Sequence, residues 1–124
     1  MKETKYWTLH MFAGIIILIL LFIHMIAIHL DSLLGWYNPA GGEGIDWENV
    51  VARAKDVTMT VTYVILLAAA LFHGLYGFRT IILELVPIRV IQKVVGPLFA
   101  LSGLILFIIG TWAVIKFHYV AQAM

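Results

Sequence analysis

The sequence predicts an all-α membrane protein: three transmembrane helices in a single anchor domain over residues 1–124, the N-terminus cytoplasmic, and a short interfacial helix before the second span. Three observations carry this. First, 63% of the 124 residues are apolar and only 12% are charged, more apolar surface than a soluble domain of this size can hide from water. Second, the charges are segregated: Tyr6–Leu30, Val57–Phe78 and Val94–Ile115 hold no Asp, Glu, Lys or Arg, and a bilayer crossing takes about 20 residues. Third, the cations are unevenly shared. Lys2, Lys5, Arg79, Arg89 and Lys93 fall on one side of the spans, Arg53, Lys55 and Lys116 on the other, and the positive-inside bias makes the first side cytoplasmic.

The first span is expected over about residues 6–30, from the interfacial Trp7 to the point where Asp31 ends the apolar phase. Lys2 and Lys5 before an apolar run imitate a secretory signal, but the run far exceeds the usual h-region of ~7–15 residues and no small-residue cleavage site follows, so a retained span is expected. Ser32–Glu43, with Gly35, Asn38, Pro39, Gly41 and Gly42, reads as a loop. Trp47, Val50, Val51 and Ala54 recur at i, i+3, i+4 and i+7, which gives a short amphipathic helix at the outer interface.

The second span is expected over about residues 56–85, ending where Pro87 disfavours helical geometry at Val86. The third follows over about 88–120, with Gly96-Pro97 as a kink position. Gly96, Gly103 and Gly110 repeat every seven residues and offer a smooth face to a neighbouring helix.

The composition excludes several function classes. A formal net charge of +1 argues against nucleic acid as a partner, and with no cysteine the chain holds no disulfide, thiol chemistry or cysteine-ligated cluster of its own. No nucleotide loop, catalytic triad, zinc spacing or paired intramembrane carboxylate is present. Membrane lipid is the one partner that composition demands.

Ionisable residues inside apolar spans are functional candidates by default, and His73 is the foremost. His73, Gly77, Thr80 and Glu84 share one stripe of the second span, so the imidazole projects over a glycine that leaves room for a flat group such as a porphyrin edge. Neutral histidine is a common axial ligand of haem iron. The alternative is that His73 donates a hydrogen bond to a carbonyl of a neighbouring helix while Gly77 serves close approach.

Depth sorts the other histidines. His73 lies about six residues, or ~9 Å, from the end of its span at Arg79, and His10 sits at a similar level one turn before Gly14. His24 lies near the opposite end, offset by ~15 Å, too far to share an iron with His73. His10 could meet a haem edge or propionate, or be a solvated interfacial residue; His24 could make an interhelical hydrogen bond or ligate a second haem. His29 and His118 are expected to be solvated at the outer interface. Arg79 could pair with propionates and Glu84 could relay a proton, or both could snorkel to headgroups.

These residues, across most of the chain, resemble the small haem-binding membrane anchor subunits of succinate dehydrogenase and fumarate reductase, the C/D family, most strongly its D type. The resemblance rests on Trp7, His10, Gly14, His24 and His29 in the first span, on Ile45–Arg53 in the loop, and most specifically on His73-x-x-x-Gly77-x-Arg79 followed by Glu84. It implies that His73 ligates haem b, that a second three-helix anchor supplies the other ligand, and that flavoprotein and iron–sulfur subunits dock on the cytoplasmic face of the inner (cytoplasmic) membrane. His10 and Arg79 would steady the propionates, and Glu84 would border a quinone pocket or assist protonation. The family often has Arg where this chain has Met11, and some members have Tyr where it has Leu85; both departures bear on quinone contact. A di-haem cytochrome b subunit and a cofactor-free structural anchor are the alternatives. An ion-coupled transporter is disfavoured because every acid lies near a span end.

Overall fold

Two residues, Asp56 and Pro87, divide the chain much as the sequence indicates. The computed structural model describes residues 2–30 and 38–124. It contains α1 (Lys2–His29), α2 (Trp47–Lys55), α3 (Val57–Leu85) and α4 (Arg89–Gln122), with no strand among the described residues. α1, α3 and α4 are each long and apolar enough to cross a membrane. Their lipid-type surface is not buried within the chain: Phe12, Leu18, Phe22, Leu101, Leu104 and Ile108 are all exposed. The expected end of the first span at Asp31, and the part of the expected loop that contains Ser32 and Gly35, lie outside the described residues.

α1 begins four residues earlier than expected. Glu3 stands in its first turn, where the helix dipole favours a negative charge, and Thr8 returns its hydroxyl to the Thr4 carbonyl at 2.9 Å. Asp56 alone separates α2 from α3. Its backbone is extended, its N–H donates to the Arg53 carbonyl, and its side chain accepts from the Thr58 N–H at 2.7 Å, so one residue closes one helix and caps the next. At the other end of α3 the chain turns in three residues around Pro87, and α4 then runs unbroken through Pro97.

α3 is the central helix. Both α1 and α4 pack against it, while among the described residues no Cα of α1 comes within 8 Å of one of α4. The glycine repeat of α4 meets α3 as expected: a Cβ at Gly103 would lie 2.8 Å from Leu75 Cδ1, and one at Gly110 2.6 Å from Leu67 Cδ2. A side chain at either position would force the facing leucine to shift, so the two helices pack closely there.

α2 lies across the ends of α3 and α4. Val51 and Ala54 pack on Ala121 with Phe117 against them, and Trp47 stands 6.0 Å from the Phe117 ring. The polar side of this end is also buried. Asn49, fully buried, accepts from the Ala40 N–H and donates to the Gly41 and Glu43 carbonyls. Arg53, 6% exposed, donates to the Asn38 side chain and the Gly44 carbonyl, and Asn38 donates onward to the Ala27 carbonyl of α1 at 2.9 Å. Gly41 and Gly42 take the left-handed backbone (φ 73° and 75°) that lets this loop fold back on itself.

His118 departs from expectation. Instead of being solvated it donates from Nδ1 to the Ala54 carbonyl at 2.6 Å, and one turn later Gln122 donates to the Lys55 carbonyl at 2.8 Å. The last carbonyls of a helix lack intrahelical partners; here α4 supplies them.

Candidate functional site

α1 and α3 run antiparallel, with Tyr6 against Tyr76, His10 against His73 and His24 against Tyr63. The expected level match between His10 and His73 is therefore met by direct contact. Their rings stack with centroids 4.0 Å apart and planes inclined by 9°.

Each helix carries the same short pattern there, His-x-x-x-Gly: His10 to Gly14 on α1 and His73 to Gly77 on α3. The two are reciprocal. A Cβ at Gly14 would lie 3.0 Å from His73 Cε1, and a Cβ at Gly77 would lie 3.2 Å from His10 Cε1. This corrects the stripe argument. His73 rests over Gly14 of the other helix, not over Gly77 of its own, and the flat group above Gly77 is the His10 imidazole. His10 is half-buried and stacked, which corrects its solvated reading as well.

Hydrogen bonding distinguishes the two rings. His73 Nδ1 lies 3.1 Å from the His10 carbonyl. A carbonyl only accepts, so Nδ1 carries the proton, and in the neutral ring Nε2 then keeps its lone pair. A hydrogen bond from one ring nitrogen to a carbonyl is what a metal-ligating histidine ordinarily makes through the nitrogen that does not ligate. By contrast His10 Nδ1 is buried with no partner; among the described residues only Thr111 Oγ1 shares that condition. Tyr76 flanks His10 at 5.2 Å between ring centroids and is itself stacked on Phe72 at 5.7 Å.

Whether these residues suit a haem is decided by the same geometry. A haem would supply an iron that accepts neutral imidazole nitrogen. Imidazoles stacked face to face at 4.0 Å could not both turn a nitrogen to one such iron, so this pair would supply it with a single nitrogen. His73 Nε2 fits that role by its tautomer. The unpartnered His10 Nδ1 fits a donor to, or acceptor from, a polar group on the periphery. No cluster of three or more His, Cys, Asp or Glu side chains forms a metal cage among the described residues, and a haem needs only one protein nitrogen per face.

Arg79 and Glu84 are not drawn into the histidine pair. Arg79 is half-buried, its Nε 3.4 Å from the position a Cβ at Gly96 would take, and Glu84 is exposed. They meet in a cavity of about 470 Å³ between the ends of α1 and α3, lined also by Glu3, Trp7, Tyr76 and Thr80. A larger cavity of about 520 Å³ opens on the face of α3 between α1 and α4, with Arg79, Tyr6 and Tyr76 near one end and Leu71, Phe99 and Phe107 deeper. Neither cavity contains a histidine. Tyr76 borders both and touches His10, and the sequence reading gave it no role; its place three residues after His73 was the available signal.

His24 makes an edge contact with the Tyr63 ring at 5.5 Å, an aromatic contact in place of the expected hydrogen bond. His29 is exposed at the end of α1. Compared with family models, with curated proteins and with solved structures, the chain gives no match.

Proposed function

We propose that this chain is a haem b-binding, non-catalytic membrane anchor subunit of a succinate:quinone oxidoreductase. It lies in the inner (cytoplasmic) membrane with its N-terminus in the cytoplasm and α2 at the outer interface. The single observation that carries the reading is His73 itself: an imidazole on a membrane-length helix, its Nδ1 proton engaged by a carbonyl, its Nε2 free to ligate. Haem supplies a one-electron carrier when bound. In this chain His73 would hold the iron, His10 Nδ1 and Arg79 would meet the propionates, and Gly77 would keep the His10 ring close to α3.

Because the stacked pair offers one axial nitrogen, a second three-helix anchor would donate the other. Glu84, with Arg79, Trp7 and Tyr76 around the smaller cavity, is the part of this chain that would border a quinone. Met11 and Leu85 stand where the resembled family often carries polar groups, so the partner anchor would furnish much of that pocket. Flavoprotein and iron–sulfur subunits would dock on the face that carries Lys5, Arg89 and Lys93.

A second reading has an observation of its own. The carbonyl bond of His73 and the filling of both glycine seats by imidazoles are also what a cofactor-free anchor would show. The unpartnered His10 Nδ1 favours the haem reading, since a purely structural pair gains nothing by leaving a buried polar atom unpaired.

Affinity purification of the tagged chain from its native membrane tests the assignment. Co-purification of a flavoprotein, an iron–sulfur protein and a second small haem-bearing anchor, with succinate-dependent quinone reduction, is the expected result. Recovery of the chain without redox partners contradicts it.

A further inference from the structure

The two His-x-x-x-Gly patterns are reciprocal in sequence and in contact, yet they present different ring edges to each other's helix. At Gly14 the nearest atoms of His73 are Cε1 at 3.0 Å and Nδ1 at 3.3 Å; at Gly77 the nearest atoms of His10 are Cε1 at 3.2 Å and Nε2 at 3.8 Å. His73 thus turns its Nδ1 edge toward α1, while His10 turns its Nε2 edge toward α3. Only the first arrangement ends in a hydrogen bond, 3.1 Å from His73 Nδ1 to the His10 carbonyl.

That carbonyl is not otherwise free. In an α-helix the carbonyl of residue i accepts from the N–H of residue i+4, and for His10 that residue is Gly14. A carbonyl oxygen has a second lone pair, but on a helix surface its approach runs beside the side chain of residue i+4. Gly14 has none, so the His73 ring can lie against the α1 backbone and reach the second lone pair. Any Cβ there would sit 3.0 Å from the ring, closer than ordinary van der Waals contact.

We propose that Gly14 is a positioning residue: by leaving the second lone pair of the His10 carbonyl open, it locks His73 as the Nδ1–H tautomer and points the Nε2 lone pair away from α1. The lock is a property of this chain alone, present before any cofactor or partner. It rests on the haem reading only for what Nε2 then binds. The His10 side chain contributes a stacked neighbour, but the tautomer is set by backbone, so removal of the His10 ring leaves the lock in place.

The test uses the full chain, ¹⁵N-labelled at histidine, in detergent micelles without haem. Nitrogen chemical shifts report whether each ring nitrogen is protonated. The wild type is expected to show His73 with Nδ1 protonated and Nε2 bare, and His10→Ala the same. Gly14→Ala is expected to lose the single tautomer. Gly103→Ala, which crowds Leu75 where α4 meets α3, is expected to keep it and so separates positioning from general loosening of the bundle. Ferric haem added to each variant, followed by its absorption band, is expected to bind Gly14→Ala about 10- to 100-fold more weakly than wild type.

A wild type in which His73 carries its proton on Nε2, or exchanges freely between nitrogens, overturns the inference even if Gly14→Ala does not fold. So does a folded Gly14→Ala with an unchanged tautomer. A locked tautomer in a chain that takes up no haem upholds the role of Gly14 and counts against the haem assignment alone. Haem binding with an unlocked tautomer does the reverse.

Discussion

The two ends of this helical bundle treat buried polar groups in opposite ways. At the loop end, Asn38, Asn49 and Arg53 are all buried and all bonded, and the exposed carbonyls of α2 are met by His118 and Gln122. At the histidine end, His10 keeps a buried Nδ1 without a partner, and two cavities of about 520 and 470 Å³ open nearby. A group that is satisfied within its own chain is doing structural work, because buried polar atoms are normally paired. His10 Nδ1 lacks a partner, as does Thr111 Oγ1, and neither residue lines either cavity; under the proposed reading the His10 nitrogen is where a group from outside would be met. The lesson is that Arg53, the most deeply buried charged residue among the described residues, is architectural, and that under the proposed reading the histidine end would carry the function.

Substitutions at the two ends should therefore separate stability from cofactor binding. The largest loss of stability is expected for Arg53→Ala, about 3 kcal/mol, because the Asn38 side chain and the Gly44 carbonyl lose a charged donor in a buried site. Thermal unfolding in detergent measures it, and an unchanged midpoint would show that the knot is solvated. Asn49→Ala should follow at about 2 kcal/mol, since three backbone groups lose their partner at once. His118→Phe should cost about 1 kcal/mol by removing the donor at the end of α2; a wild-type midpoint would show that the Ala54 carbonyl finds water instead.

The smallest effect on stability belongs to the other end. His10→Phe keeps a flat ring over Gly77 and removes a nitrogen that has no partner, so the unfolding midpoint should move by less than about 0.5 kcal/mol. Haem retention should nevertheless fall, because the donor proposed for the propionates is gone. A large stability loss with unaltered haem retention would reverse the comparison. His24→Phe, against Tyr63, should leave a one-haem spectrum intact, whereas loss of one of two b-type signals would establish a di-haem subunit.

Much of the frame was legible in the sequence, for local reasons. Charge-free runs of bilayer length gave the three spans, Pro87 gave a turn of three residues, and the glycine repeat of α4 gave its contact with α3. The helical rise gave the common level of His10 and His73. Level is not orientation, however, and nothing in either helix alone says that each imidazole rests on the other helix's glycine. Arg53 counts by its type as a solvated cation; its burial follows from where Asn38 and Gly44 come in space, 15 and 9 residues earlier in the chain. The cap at His118 joins residues 64 apart. Such groupings depend on tertiary placement, which periodicity does not encode.

The most direct test of the account is a reduced-minus-oxidised absorption spectrum of the purified complex carrying wild-type chain or His73→Ala. The account predicts one b-type band in the wild type that disappears in the variant while its helical content is retained. A band of equal size in His73→Ala, or none in the wild type, would contradict it.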